Sequence, residues 1–215
     1  MGRILFEKTG KAVWMSHLDT MRLMQRVFRR AGVLLHHSQG YTPHAYVSMP
    51  LPLSVGMESL CEILEYELDE KLTITPAELN AVMPQGIKVL KVYESAVKTK
   101  FLTRMQAEVT LYYDKGVPEN ACEKIAELFA APQIMVTKRT KRGPEETDLK
   151  PLLYSATMTK KEDRAVIDCM VSAQNPPLNP MLLVQAIENQ LPELKPDHAT
   201  CRRIEVYDDK GNPFR

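Results

Sequence analysis

The spacing of apolar residues changes along this chain in a set order, and that order restricts the fold more than any other feature. Alternating runs suit strands, and apolar residues three and four apart suit amphipathic helices; together they read β-α-β-β-α-β, twice. In the first pass residues 2–8 are a short strand, 9–11 a turn, and a helix follows from Ser16. The Ser16 hydroxyl is placed to accept an orphan N–H, with Asp19 three residues on in capping-box register. Leu18, Met21, Met24, Val27 or Phe28, and Ala31 recur at helical spacing, and Gly32 is placed to end the helix in the left-handed region. Residues 33–37 and 45–53 flank a turn-forming loop. The run 60–69 alternates, which predicts a half-solvated strand with Glu65, Glu67 and Asp69 on its wet face. Thr75 caps a short helix with Pro76 in its first turn, and 87–93 is the closing strand.

The second pass has strands at 107–113 and 133–137, a helix at 118–130, a hairpin of 152–158 with 165–172, a helix at 180–190 capped by Asn179, and a last strand at 201–207. This order predicts an α+β chain of two tandem ferredoxin-like domains, residues 1–97 and 104–215, joined near 95–103. No sequence self-similarity accompanies the duplication.

A chain of 215 residues has length for two such cores, and 44% hydrophobic with 26% charged residues excludes disorder and collagen. No apolar run approaches the ~18–20 residues a bilayer requires. The first eight residues meet a charge after three apolar ones, too short for a secretory signal, so a soluble cytoplasmic protein is expected. Cys61, Cys122, Cys169 and Cys201 lie 32 or more positions apart. Neither a disulfide framework, a zinc ribbon nor a self-contained iron–sulfur site is expected, because ligands of one site usually come in short-range pairs. No cofactor and no metal are predicted.

The formal charge is only +1, but it is unevenly spread. Residues 1–50 hold seven Lys/Arg and two Asp/Glu, a sum of +5, and residues 51–100 hold five and eight, a sum of −3. Four of the five histidines, His17, His36, His37 and His44, fall in the first 50 residues. Arg22, Arg26, Arg29 and Arg30 lie at offsets of four and three on the polar side of the first helix. Permanently charged, forked donors in such a row suit phosphates or carboxylates. The row also serves as a plain solvated face, yet like charges at this spacing repel, and no Glu is interleaved to relieve them.

A second constellation joins Ser16, His17 and Asp19 at the helix start to Ser38, Gln39, Gly40, Tyr41, Thr42, Pro43, His44 and Ser48 on the following loop. Three readings stand together: capping with substrate contact, general acid–base work by His17 or His44 beside Asp19, and a metal held by two histidines with Asp19. Gly40 and Pro43 have sufficient reason in a sharp turn. No segment has the Gly-rich order of a phosphate loop. The run from Lys138 to Pro144, four cations in five residues followed by acidic ones, reads as a mobile hairpin tip. The 12 methionines read as core gap-fillers.

These residues resemble the radical-SAM-linked proteins found beside or fused to cobalamin-binding radical-SAM enzymes. The likeness lies in Arg3-x-x-Phe6-x-Lys8 with Gly10, in Ser16-His17-Leu18-Asp19-x-Met21-Arg22, in Arg29-Arg30-Ala31, and in Ser38-x-Gly40-Tyr41-x-Pro43-His44 with Ser48. It continues in Pro50-Leu51-Pro52-Leu53 with Gly56 and Ser59, and later in Lys141-x-Gly143-Pro144, Asp148-x-x-Pro151-Leu152, Asn179-Pro180 and Arg202-Arg203-x-Glu205-x-Tyr207. His37 stands where an aromatic such as Tyr is commoner, and Ala45-Tyr46 where Pro-Lys is often seen. The resemblance implies an accessory or substrate-presenting subunit for a separate enzyme that holds the cluster, with an RNA-related substrate. The element order is also similar to tandem ferredoxin-like RNA proteins such as pseudouridine synthases and CRISPR repeat processors, without the Gly-Arg-Thr-Asp segment of the former.

The expectation is therefore a non-catalytic RNA- or ribonucleoprotein-binding module with a radical-SAM partner and no membrane. Arg22, Arg26, Arg29 and Arg30 would meet phosphates, and His17, Asp19, Ser38, Gly40, Tyr41, His44 and Ser48 would line the recognition cleft. The alternatives are an RNA-modifying or RNA-cleaving enzyme using His17, Asp19 and His44, and a protein adaptor docking through the acidic strand around residues 62–70.

Overall fold

A computed structural model describes residues 1–70, 72–140 and 143–215. The fold is mixed α+β, with four α-helices among the described residues and two compact units, Met1–Phe101 with Arg215, and Leu102–Phe214.

In the first unit β1 (Gly2–Lys8) lies between β3 (Glu58–Tyr66) and β4 (Ile87–Glu94), and the short β2 (Val47–Ser48) adds to β3. The order is β4-β1-β3-β2, and every one of these pairings is antiparallel. The α1 helix (His17–Arg30) connects β1 to β2, and α2 (Pro76–Asn80) connects β3 to β4. Met24, Val27 and Phe28 of α1 and Leu79 of α2 bury their apolar stripes with Ile4, Phe6, Leu64, Tyr66, Ile87 and Val89. The Phe28 and Tyr66 rings meet at 4.9 Å. Gly2 permits this packing, since a Cβ there would stand 2.5 Å from the Tyr66 ring. Gly32, at φ +75°, ends α1 as its position predicts.

Of the face predicted to be wet, Asp69 is exposed and Glu67 half-buried, but Glu65 within β3 is buried. Glu62 and Glu65 are buried together with Cys61 and Ile63, and Glu65 accepts from buried Arg3 at 2.6 and 2.9 Å. The Arg3 guanidinium also donates to Ser95 Oγ at 2.9 Å and to the Val97 carbonyl. Within β3 both faces are buried from Cys61 to Tyr66, and at Glu65 an ion pair rather than water satisfies the carboxylate.

In the second unit β5 (Leu102–Tyr112), β8 (Leu153–Lys160), β9 (Arg164–Ser172) and β10 (His198–Asp208) form a sheet in the order β10-β5-β9-β8, again antiparallel throughout, with α3 (Ala121–Ala130) between β5 and β8 in the chain and α4 (Met181–Gln190) between β9 and β10. Between α3 and β8 stands a separate hairpin of β6 (Met135–Thr140) and β7 (Gly143–Asp148). The sequence pattern misses β7, whose acidic, Pro-containing run carries no apolar alternation. Gln185 and Gln190 of α4 tie the hairpin down by donating to the Thr137 and Met135 carbonyls at 2.8 and 3.1 Å. Of the basic run predicted at the tip, Lys141 and Arg142 lie outside the described residues.

Candidate nucleic-acid interface

Ser16 organises the start of α1. Its Oγ accepts from the Asp19 N–H at 3.1 Å and donates to Asp19 Oδ2 at 2.7 Å, while its carbonyl accepts from Thr20 Oγ1 at 2.9 Å. The expected reciprocal box is altered: Asp19 takes the Ser16 hydroxyl instead of the cap's backbone N–H. That hydroxyl, with Arg22 and Arg26 in support, holds the Asp19 carboxyl below the usual carboxylate range. Asp19 Oδ1 pairs with Arg22 at 3.4 Å.

Arg22, Arg26, Arg29 and Arg30 are all exposed on the side of α1 away from Met24, Val27 and Phe28. Among the described residues Arg26, Arg29 and Arg30 have no carboxylate partner. The loop after α1 is closed by two bonds, Ser38 N–H to the His44 carbonyl at 2.8 Å and His44 N–H to Ser38 Oγ at 3.0 Å. Tyr41 at its tip is fully exposed, next to Gly40 at φ +141°. His36 pairs with Asp69 at 2.6 Å and stacks on Tyr46, and His37 Nδ1 lies 2.8 Å from the Leu35 carbonyl. Ser48 donates to Glu65 at 3.4 Å, so it supports the buried ion pair.

Strand register decides which of these groups meet. Lys8 donates to the Met15 carbonyl at 2.7 Å, which fixes the first turn of α1 beside the end of β1. Tyr66 pairs with Gly2 and with Val47, and His36 N–H bonds the Glu67 carbonyl, so the loop 38–44 springs from the opposite end of the sheet. Fourteen residues at ~1.5 Å each make α1 about 20 Å long, with His17 at one end and His44 beyond the other. The structure thus brings His17 together with Ser16 and Asp19, and His44 together with Ser38, and does not bring the two groups together. No acid–base pair of His17 with His44 is formed. The Nδ1 of His17 is buried without a hydrogen-bond partner among the described residues. No cluster of three His, Cys, Asp or Glu side chains suited to a metal occurs among the described residues.

One exposed group escaped the sequence reading. Trp14, the only tryptophan of the chain, is 73% exposed at the end of a short 3₁₀ turn before the Ser16 cap. Its signal was its place, directly ahead of a cationic helix. Leu18 and Val55 are exposed too, at 64% and 54%.

Residues 2–180 match the model of a family described as uncharacterized proteins conserved in bacteria (DUF2344). The chain belongs to that family. No curated protein matches it. Among solved structures it is similar to a chain of a Cbf5-Nop10-Gar1 complex, with a TM-score of 0.53 and 12% identity over 95% of this chain and 48% of that one. It is also similar to a chain of the archaeal box H/ACA sRNP Nop10-Cbf5 complex, with a TM-score of 0.49 and 10% identity over 94% and 46%. The family member thus spans about half the length of the solved chains it matches, and at these identities the first likeness is one of fold alone. No helix among its described residues is long and apolar enough to cross a membrane.

Proposed function

We propose that this chain is a non-catalytic RNA- or ribonucleoprotein-binding module acting with a separate radical-SAM enzyme. The observation that carries the RNA reading is the exposed arginine row of α1. Three of its four guanidiniums lack a carboxylate partner among the described residues, so an external anion relieves their mutual repulsion. Arg22, Arg26, Arg29 and Arg30 take phosphates, and Tyr41 offers a face on which an unpaired base stacks. Of the other candidate residues Asp19 pairs with Arg22 in the row, His17 sits at its start, and Ser38, Gly40 and His44 shape the separate loop that carries Tyr41, while Ser48 supports Glu65. The radical-SAM partner rests on the motif resemblance. A reducing compartment such as the cytoplasm fits four free thiols.

Each unit is read as a ferredoxin-like domain, residues 1–97 and 104–215. This reading is supported by strand orders that place the fourth strand beside the first, the first beside the third and the third beside the second, all antiparallel, with the β6–β7 hairpin as an insertion.

Fluorescence anisotropy of a labelled single-stranded RNA at ~50 mM salt tests the reading. Wild type and Lys160→Glu/Lys161→Glu are expected to bind alike, and Arg22→Glu/Arg26→Glu to lose binding. Equal binding by all three, or by none, sinks it.

A further inference from the structure

The arginine row accounts for the phosphates of a bound strand but leaves unexplained the apolar surface at the start of α1. Gly56 N–H bonds the Val13 carbonyl at 2.9 Å, and the edge of the Trp14 ring lies 3.7 Å from where a Cβ on Gly56 would stand. One edge of the indole thus faces the Gly56 turn, while the residue stays 73% exposed. Leu18 follows four residues later, and then Arg22 and Arg26 at the same spacing. An aromatic ring left in water without a packing role is an informative exposure, because burying it would be favourable.

We infer that Trp14 is the stacking platform for an unpaired base of single-stranded RNA whose phosphates run along the arginines, an inference that rests on the RNA reading above. A flat π face accepts any base, and guanidiniums beside it take the adjoining phosphates, which is how sequence-tolerant single-strand sites are built. Trp14 reaches His17 within ~11 Å of chain, and Arg22 stands ~7.5 Å further along the helix, so one short strand can touch both. The charge around the ring is mixed, and its two carboxylates are already engaged. Asp19 is engaged by Ser16 and Arg22, Glu58 accepts the Gly10 N–H at 3.2 Å, and exposed Lys11 adds a cation.

Because the chain has a single tryptophan, its intrinsic fluorescence reports on this site alone. Titration with a short oligouridine is expected to quench it, with the same midpoint as anisotropy of the labelled oligonucleotide. A ribose-phosphate strand of equal length without bases is expected to leave it unchanged. Trp14→Ala is expected to weaken binding about 5- to 150-fold with no change in salt dependence, and Trp14→Phe to keep most of the affinity. Circular dichroism of both variants checks that they fold. If RNA binds without quenching and Trp14→Ala binds as tightly as wild type, the inference is overturned, the RNA reading stands, and the patch belongs to a protein partner. If no RNA binds in either assay, the reading falls and the inference with it.

Discussion

Arg3, Phe6 and Lys8 share the first motif of the family resemblance, and all three are at most 2% exposed. Phe6 fills the core, Arg3 pairs with Glu65, and Lys8 holds the Met15 carbonyl ahead of α1, so this motif serves the fold that presents the arginines. A charge removed from a buried pair leaves its partner unsolvated. Arg3→Met should therefore cost about 3–5 kcal/mol in urea unfolding, and Arg3→Met/Glu65→Gln should recover much of that. The interior cysteines behave as small apolar groups. Burial pushes the Cys169 and Cys201 thiols up to about 12, which leaves almost no thiolate near neutrality. Iodoacetamide at neutral pH should label Cys122 first in the native protein, with Cys61, Cys169 and Cys201 reacting only on unfolding, as peptide mass spectrometry would report. The sequence named these residues without their depth. A seven-residue strand with three charges does not show from sequence that Arg3 is interior, and only its pairing with Glu65, 62 positions away, reveals it.

At the scale of elements, α1 and α2 were legible because period and cap agree. Ser16 caps α1, and Thr75 with Glu78 closes a full capping box on α2. Ser16→Ala should lower stability by about 1 kcal/mol. It should also move an acid transition, because the Ser16 hydroxyl is the first cause of the lowered Asp19 pKa. A carboxyl held low in the folded state contributes stability above its unfolded pKa, and loses it as pH falls through the folded value. The gap in melting temperature between wild type and Ser16→Ala should thus be larger at neutral pH and narrow in acid to what the Asp19 N–H cap bond alone supplies. The acidic β7 was not legible, since it has no apolar alternation, whereas the two-residue β2 falls inside the longer 45–53 segment. The two segments flanking the loop contribute only single bridges ahead of β2, Leu35 with Leu68 and His37 with Ala45. The constellation of His17 with His44 was open in the sequence for a related reason. Helix length and strand register, not spacing along the chain, set their separation.

Across the whole molecule, a formal charge of +1 leaves little long-range attraction for a polyanion. The excess of +5 in residues 1–50 was readable as arithmetic, but part of it is interior: Arg3 and Lys8 are buried, and Lys11 with the four arginines of α1 carry the exposed remainder. Binding that depends on so few charges should have a shallow salt dependence. Four phosphate contacts on a single strand correspond to a slope of about −2.8 in log affinity against log salt, or roughly a 50-fold loss between ~50 and ~200 mM. Arg22→Glu/Arg26→Glu, if residual binding is measurable, should bring the slope to about −1.4 or less. A wild-type slope near zero would mean that phosphates are not what the row holds. One much steeper than −3 would mean that cations beyond the row, such as exposed Lys11 ahead of α1, share the load, and a Lys11→Glu variant would then flatten it.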